Sequence, residues 1–315
     1  MIDKNIALLR SRLLSQVRTF FDKKDFLEVE TPVIVPYENP DDNVENVSVT
    51  FSDFKGDHFG FFLHTSPEFF MKRLLWYGFE KIYQISKVFR DGELGDYHNI
   101  EFTMVEWYNT GKDYVSGMDE TEMLVRECFF TAAYCGFQSD VKFDEKFWRI
   151  TVEDLFHEFA GVKDVSDREE LEYVSGKASY EEAFFYLLVD KVEPELSKVK
   201  VPVFIFDFPE EFSAMAKTDN RLAERFELYI KGLEIANGYT ELVDYDSYRI
   251  KFRKKNQAMD VGFLELLKVR PLPECEGVAL GFDRLLMSIT GRDILSVINF
   301  PVEMLIREVR DWKSL

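Results

Sequence analysis

The chain of 315 residues is poor in the side chains that build metal or disulfide frameworks. Its three cysteines, Cys128, Cys135 and Cys275, make no C-x-x-C pair, and an odd number closes no disulfide set. Each reads as a small buried hydrophobe. Four histidines scattered at 58, 64, 98 and 157 argue against structural zinc. Apolar runs stay well short of the ~18 residues that span a bilayer. The N-terminus shows no basic-then-apolar leader pattern, so a cytoplasmic protein is expected. Positive charge is in deficit: 39 Lys and Arg against 58 Asp and Glu leave a net charge of -19. A protein that grips a long stretch of nucleic acid carries the opposite sign, so extended contact with tRNA or DNA is not expected, although a local basic patch is compatible with this total. Repeats, low-complexity tracts and Pro/Gly/Ser linkers are lacking too. The remaining composition, 46% hydrophobic and 31% charged, is that of a globular protein large enough for a sizeable core.

Apolar spacing of three and four at Ile6, Leu9, Leu13, Val17 and Phe20 predicts an amphipathic helix over 6–21. Asp25 suits the turn after it, and Leu27 to Pro36 reads as a strand that a proline interrupts, at an edge or interface. Residues 37–60 are polar and turn-rich, a loop or short hairpin. Ser66 suits a helix N-cap, Pro67 the first helical position and Gly78 the C-terminal cap. Strands are expected over 80–90 and 100–108, joined by a long polar loop into an antiparallel hairpin. Helices are expected over 118–135, from Thr151 to Gly161, and from the Ser179/Glu182 capping box to about 191. Val201 to Phe208 reads as a buried strand. With Lys231-Gly232 as a two-residue hairpin turn, Tyr229 faces Glu234 and Glu227 faces Ala236. Leu228, Ile230, Leu233 and Ile235 then share the opposite, apolar face. Two carboxylates on one sheet face repel unless a cation or substrate offsets them. Gly277 to Met287 reads as strand, glycine turn, helix. One domain over 1–315, with a helical insertion at about 115–200, fits this order.

Taken singly, Ser66-Pro67-Glu68, Phe89-Arg90 and Gly281 to Arg284 each have a structural explanation as helix start, edge-strand arginine or turn. Their joint occurrence and order point further. The sequence resembles the catalytic domain of the class II aminoacyl-tRNA synthetases, lysine branch. The first class motif matches helix 6–21 and the strand ending at Pro32. The second matches Val88-Phe89-Arg90, the loop, and His98 to Tyr108. The third matches Gly277 to Arg284, and Glu234 to Glu241 matches the lysine-branch segment before it. Within that class the chain is similar to the elongation factor P lysine ligases, paralogues that modify a lysine side chain of a protein. The chain begins at the first catalytic helix, leaving no room for an anticodon-binding domain. Strand 102–108 ends in Glu106-Trp107-Tyr108, and Ala279 stands where lysyl-tRNA synthetases usually carry glycine.

The resemblance implies an α+β fold, an antiparallel sheet flanked by helices, and a homodimer through the first motif. It implies that ATP and Mg2+ activate lysine or β-lysine as an adenylate, with elongation factor P as acceptor. A carboxylate is already ionised at neutral pH, so the site must supply positioning and positive charge around the phosphate. Arg90 and Arg284 fit that role, because arginine stays charged and forks onto phosphate oxygens. Glu234 acts with them in catalysis, and Glu227 and Glu234 are the candidate magnesium ligands. Phe102 matches the adenine-stacking residue. Asn99, Ile235 and Gly281 complete the ATP contacts together with the loop Asp91, Gly92 and Glu93. There the family usually has glutamate two residues after the arginine, where this chain has Gly92: either Glu93 takes over or the backbone of Asp91-Gly92 reads adenine. Ser66, Pro67 and Glu68 go to the backbone-amine end of the substrate, Glu106, Tyr108 and Glu241 to its side-chain ammonium, and Ala279 to the pocket floor. Two alternatives stand beside the ligase, a minimal lysyl-tRNA synthetase and a catalytically inactive amino-acid-binding regulator.

Overall fold

The computed structural model describes residues 3–40, 44–253 and 260–312. Positions 41–43 of the expected loop over 37–60 lie outside these. Helix α1 (Lys4–Asp22) buries Ile6, Leu9, Leu13, Val17 and Phe20, and Asp25 turns the chain with φ at 60°. The stretch expected as one interrupted strand is two short ones, β1 (Leu27–Glu28) and β2 (Ile34–Val35), in different sheets. Hairpin β3 (Ser48–Ser52) and β4 (His58–Leu63) follows, then helix α2 (Glu68–Trp76). Strands β5 (Lys81–Phe89) and β6 (Glu101–Thr110) pair antiparallel. Next come α3 (Tyr114–Tyr134), β7 (Trp148–Thr151), α4 (Val152–Ala160), α5 (Arg168–Ser175), α6 (Tyr180–Leu187) and α7 (Glu193–Leu196). Strands β8 (Val203–Pro209), β9 (Thr218–Asp219), β10 (Leu222–Ile230) and β11 (Leu233–Thr240) precede α8 (Tyr245–Arg253) and α9 (Val261–Val269). The chain closes with β12 (Cys275–Gly281), α10 (Phe282–Thr290), α11 (Ile294–Val297) and α12 (Val302–Trp312).

Among the described residues these build a nine-stranded sheet in the order β1-β5-β6-β12-β11-β10-β8-β7, with β9 paired to β10, and a small sheet β2-β4-β3. The centre is antiparallel, as expected, but both ends are parallel, at β1–β5 and at β7–β8, so the sheet is mixed. Strand parity then divides the molecule. On one face Val105, Trp107, Val278, Leu280, Phe226 and Leu228 pack against α1, α3 and α10 as the main core. The other face is covered at the β8 end by α4 and α6, where Val203, Ile205 and Phe208 meet Phe156 and Phe184. Its β6–β12–β11 portion carries the polar residues of the site.

Two expectations need correction. The segment 115–200 is not one helical insertion: α3 lies in the main core, and β7 joins the large sheet. The β10–β11 register also differs. Lys231 and Gly232 do make the turn, with φ of 52° and 76°, and Tyr229 faces Glu234. Ile235 is then an extra residue, so Leu228 pairs with Ala236 and Glu227 with Asn237 rather than Ala236.

Candidate active site

Parity across five strands aligns side chains into rows on the open face. One row reads Gln84, Glu106, Ala279, Asn237 and Glu227; the next reads Ile82, Tyr108, Gly277, Tyr239 and Arg225. Strand β12 crosses both rows with the small residues Gly277, Ala279 and Gly281, and so forms a floor rather than a wall. From Gly277 to Gly281 is about 13 Å at ~3.3 Å per residue, enough to separate two ends of one elongated site.

The end at Gly277 gathers anions. Ser66, expected as the N-cap of α2, stands one residue before that position; its Oγ accepts from the Glu68 amide at 3.0 Å and donates to Glu106 Oε2 at 2.7 Å. Pro67, expected as first helical residue, is the N-cap residue itself. Tyr108 donates to Glu106 Oε1 at 2.6 Å, so both oxygens of this buried carboxylate are held. Glu241 is buried as well, and a methyl added to Gly277 would lie 2.0 Å from its Oε1 and 2.6 Å from Tyr108 Cε1. Burial and the charge of Glu68 push the Glu106 carboxyl up to about 7. Burial pushes Glu241 up to about 8, although the adjacent Lys72 ammonium pulls it down. Such environments are costly for a carboxylate and favour one that meets a cation.

Arginines dominate the other end. Arg284, in the first turn of α10, donates to the Glu234 carbonyl at 3.1 Å and lies 3.4 Å from its Oε2. Its Nη2 is 2.6 Å from His98 Nε2. Burial and then the Arg284 charge hold the His98 imidazole below its ordinary value. Arginine can only donate, so Nε2 accepts and the ring proton sits on Nδ1. Arg90 lies over the Phe102 ring, 5.2 Å from its centroid, and 3.6 Å from Glu93 Oε1. Gly92 sits at φ 73°, a conformation glycine adopts freely, and its amide donates to Asp91 Oδ1. Glu93, not position 92, therefore supplies the carboxylate beside Arg90. The Ile235 carbonyl lies 3.7 Å from where a Gly281 methyl would be. Asn99 belongs to this loop, but its amide is spent inside the protein, donating to the Glu101 carbonyl and accepting from the Val302 amide.

Of the two expected magnesium ligands, Glu234 borders the arginines. The Glu227 carboxylate is already taken, 2.6 Å from Arg225 and accepting from Tyr229 Oη at 2.9 Å. Burial pushes it up to about 7 against the pull of Arg225, with Glu234 adding to the rise. The described residues contain no group of three or more His, Cys, Asp or Glu able to hold a metal by themselves. The pair therefore fits magnesium only as two carboxylates completed by phosphate oxygens, which is how this ion commonly binds nucleotides.

Four participants escaped the sequence. Lys72 lies between Glu68 and Glu241; Arg225 holds Glu227; His98 meets Arg284; and Arg10 joins Asp283 to Thr103 Oγ1. The Thr103 amide donates to Asp283 Oδ2 at 2.6 Å, so Arg10 and β6 together fix the turn that presents Arg284. His98 lay inside the second motif without a role, and Lys72 stood four residues after Glu68 on a helix face that is otherwise apolar.

A family model for class II tRNA synthetases (D, K and N) matches residues 3–304. The chain is 37% identical over 310 residues to the elongation factor P–(R)-β-lysine ligase of Vibrio cholerae, covering 93% of this chain and 94% of that protein. It is 34% identical over 313 residues to the protein of that name from Hamiltonella defensa, at 94% coverage of both. It is 36% identical over 288 residues to the elongation factor P–(R)-β-lysine ligase homolog of Aquifex aeolicus, covering 90% of this chain and 94% of that one. A match that spans the whole described sheet, with relatives aligned from end to end, makes the chain a member of the class II tRNA synthetase family (D, K and N), in the branch of the elongation factor P–(R)-β-lysine ligases.

Proposed function

We propose that this protein uses ATP to activate lysine or β-lysine as an acyl-adenylate and transfers the acyl group to a lysine side chain of elongation factor P. The observation that carries this reading is the pairing of the two ends. A buried carboxylate and tyrosine pocket at Glu106, Tyr108 and Glu241 suits an ammonium. It shares the β12 floor with the arginine cluster at Arg90 and Arg284. An amino acid anchored by its amines at Gly277 presents its carboxylate past Ala279 toward Gly281.

In the first step a carboxylate oxygen of the amino acid attacks the α-phosphorus of ATP, and pyrophosphate leaves with the bonding electrons. Arg90 and Arg284 offset the charge that builds on the phosphate oxygens. Phe102 offers the adenine a flat face, and the Ile235 backbone lines the same end beside Gly281. Glu234, with Glu227, would hold the magnesium that accompanies ATP and shields its phosphates. In the second step the neutral ε-amine of the acceptor lysine attacks the acyl carbon. AMP leaves, and the amine sheds a proton to solvent. The acceptor amine must be deprotonated to attack, so this step slows as pH falls. The exposed apolar residues Leu8 on α1 and Leu27 on β1, with Val33 and Ile34 just past the first motif, support a homodimer through this region. No helix among the described residues is long and apolar enough to cross a membrane, and a cytoplasmic location accords with the substrates.

The test is acyl transfer from labelled lysine or (R)-β-lysine and ATP, with elongation factor P and lysine tRNA offered in parallel. Label on the protein is the expected result. Label on tRNA makes the protein a minimal synthetase. Absence of ATP–pyrophosphate exchange with either amino acid leaves an amino-acid-binding regulator.

A further inference from the structure

Lys72 is fully buried, with 0% of its surface exposed. It stands on α2 one turn after Glu68, and its Nζ lies 2.5 Å from Glu68 Oε1 and 2.5 Å from Glu241 Oε2. Four rings surround the ammonium, those of Phe69, Tyr108, Tyr239 and Tyr248, with centroids 5.4 to 6.0 Å away. A buried lysine ordinarily loses its charge; here the two carboxylates overcome burial and hold the amine well above its usual range. Behind this cage Phe69, Tyr248, Phe252 and Phe263 close the site with the α8 and α9 helices. An ion pair used only to staple α2 to the strand end at Glu241 would not need to reach into the anionic pocket. This one does. Lys72 takes Oε2 of Glu241, while Oε1 faces the floor at Gly277, beside the Tyr108 ring. The carboxylate is divided between a built-in cation and the pocket.

We propose that Lys72 is a specificity-determining residue, a resident counter-ion placed between Glu68 and Glu241 in a dry pocket that leaves the pocket two positive charges short of neutrality. The inference rests on the function proposed above. Counted as carboxylates, Glu68, Glu106 and Glu241 bring three negative charges and Lys72 offsets one, so two ammonium groups complete the set. Lysine and β-lysine carry two; a monoamino acid of the same length carries one and leaves a buried carboxylate unpaired, which is strongly unfavourable. The groups that face Glu241 are Glu68 and Lys72 on α2, Glu106 and Tyr108 on β6, Tyr239 on β11, Tyr248 on α8 and Cys275 on β12. Among them Lys72 is the cation. Lys72 draws the Glu241 carboxyl down; without it Glu241 would keep its proton to still higher pH and would accept an ammonium as a carboxylate only at more alkaline pH.

The experiment is the pH profile of KM for lysine in ATP–pyrophosphate exchange, with KM for ATP measured alongside. Lys72→Met is expected to raise KM for lysine at neutral pH by about tenfold or more. Its profile should move to alkaline pH by at least about one unit, with KM for ATP unchanged and norleucine less strongly excluded. Lys72→Arg should keep the profile near that of the parent. Glu68→Gln is expected to move the midpoint the opposite way, to acid pH, because Glu68 raises the Glu241 carboxyl; this arm also serves if Lys72→Met does not fold. An unshifted profile in both Lys72→Met and Glu68→Gln, on an enzyme whose parent exchanges normally, overturns the role of Lys72. A parent that exchanges with neither lysine nor β-lysine overturns the function itself.

Discussion

Single carboxyl groups decide how this site responds to pH. In the proposed function Glu106, pushed up to about 7, and Glu241, pushed up to about 8, receive the ammonium groups, and each must be ionised to do so. Protons therefore compete with the amino acid below these values. KM for lysine should fall as pH rises from 6 to 8 and level off above, while KM for ATP stays flat. A lysine KM that does not change over that range would place the substrate elsewhere. In the same proposal Arg284 acts through charge at the opposite end. Arg284→Ala should keep its circular dichroism spectrum and lose exchange by about 100-fold or more. Normal exchange would remove Arg284 from the mechanism. The arginines were legible because their motifs fix them on a strand end and a helix start. Lys72 was not, because a lysine four residues after a glutamate reads as an exposed helical pair.

Elements turn these residues into a site through backbone register and the absence of side chains. Strand β12 works by what it lacks. Its Gly277 faces the pocket, and a methyl there would collide with Glu241 Oε1 and Tyr108. Gly277→Ala should raise KM for lysine by up to about 100-fold, since a displacement near 1 Å carries that cost. KM for ATP, which the proposed function places at the other end of the strand, should change little. Lysine kinetics equal to those of the parent would show that the floor has slack. The bulge at Ile235 is the counterpart on β11. It carries Asn237 onto the site face beside Ala279 and turns Gly238 inward, where a methyl would lie 2.6 Å from Phe226 Cζ. A strict alternation count along 227–238 puts Ala236 opposite Glu227 because no local residue announces the bulge. The close packing of Gly238 on Phe226 and Val278, contributed by two other strands, sets it.

At the scale of the molecule, one sheet separates a dry core from a charged site, and one group sits on the wrong side. Glu276 precedes Gly277 and so points into the core, fully buried beneath α3, close to Gly117. Burial, followed by the charge of Glu120, pushes its carboxyl up to about 10. The folded protein thus holds a proton that the unfolded chain releases near the usual carboxylate value. Between about 4.5 and about 10 the fold must lose stability as pH rises. Glu276→Gln removes that penalty and keeps the shape. Its melting temperature should exceed that of the parent at pH 8 to 9, by the equivalent of about 1–3 kcal/mol, and the gap should close toward pH 5. A constant gap, or a less stable variant, would mean that Glu276 is ionised and paired in the fold. Expectations also failed at this scale for the segment 115–200: α3 packs in the main core, β7 joins the large sheet, and α4 to α7 cover its second face.

The sequence by itself determined the local geometry and the motifs. The amphipathic period of α1, the Lys231-Gly232 turn and the β12-to-α10 turn are legible because each depends on residues a few positions apart. Helix α2 is equally local, since Ser66-Pro67 lead into it and Gly78 follows its end. Tertiary structure alone decided which carboxylates are buried, which are already neutralised and which remain for a substrate. Glu227 is shared with Arg225, Glu241 is shared with Lys72, and Glu276 is hidden on the core side of β12. The reason is physical: a carboxylate's charge in a folded protein is set by desolvation and by cations a few ångströms away, and those neighbours come from other elements of the chain.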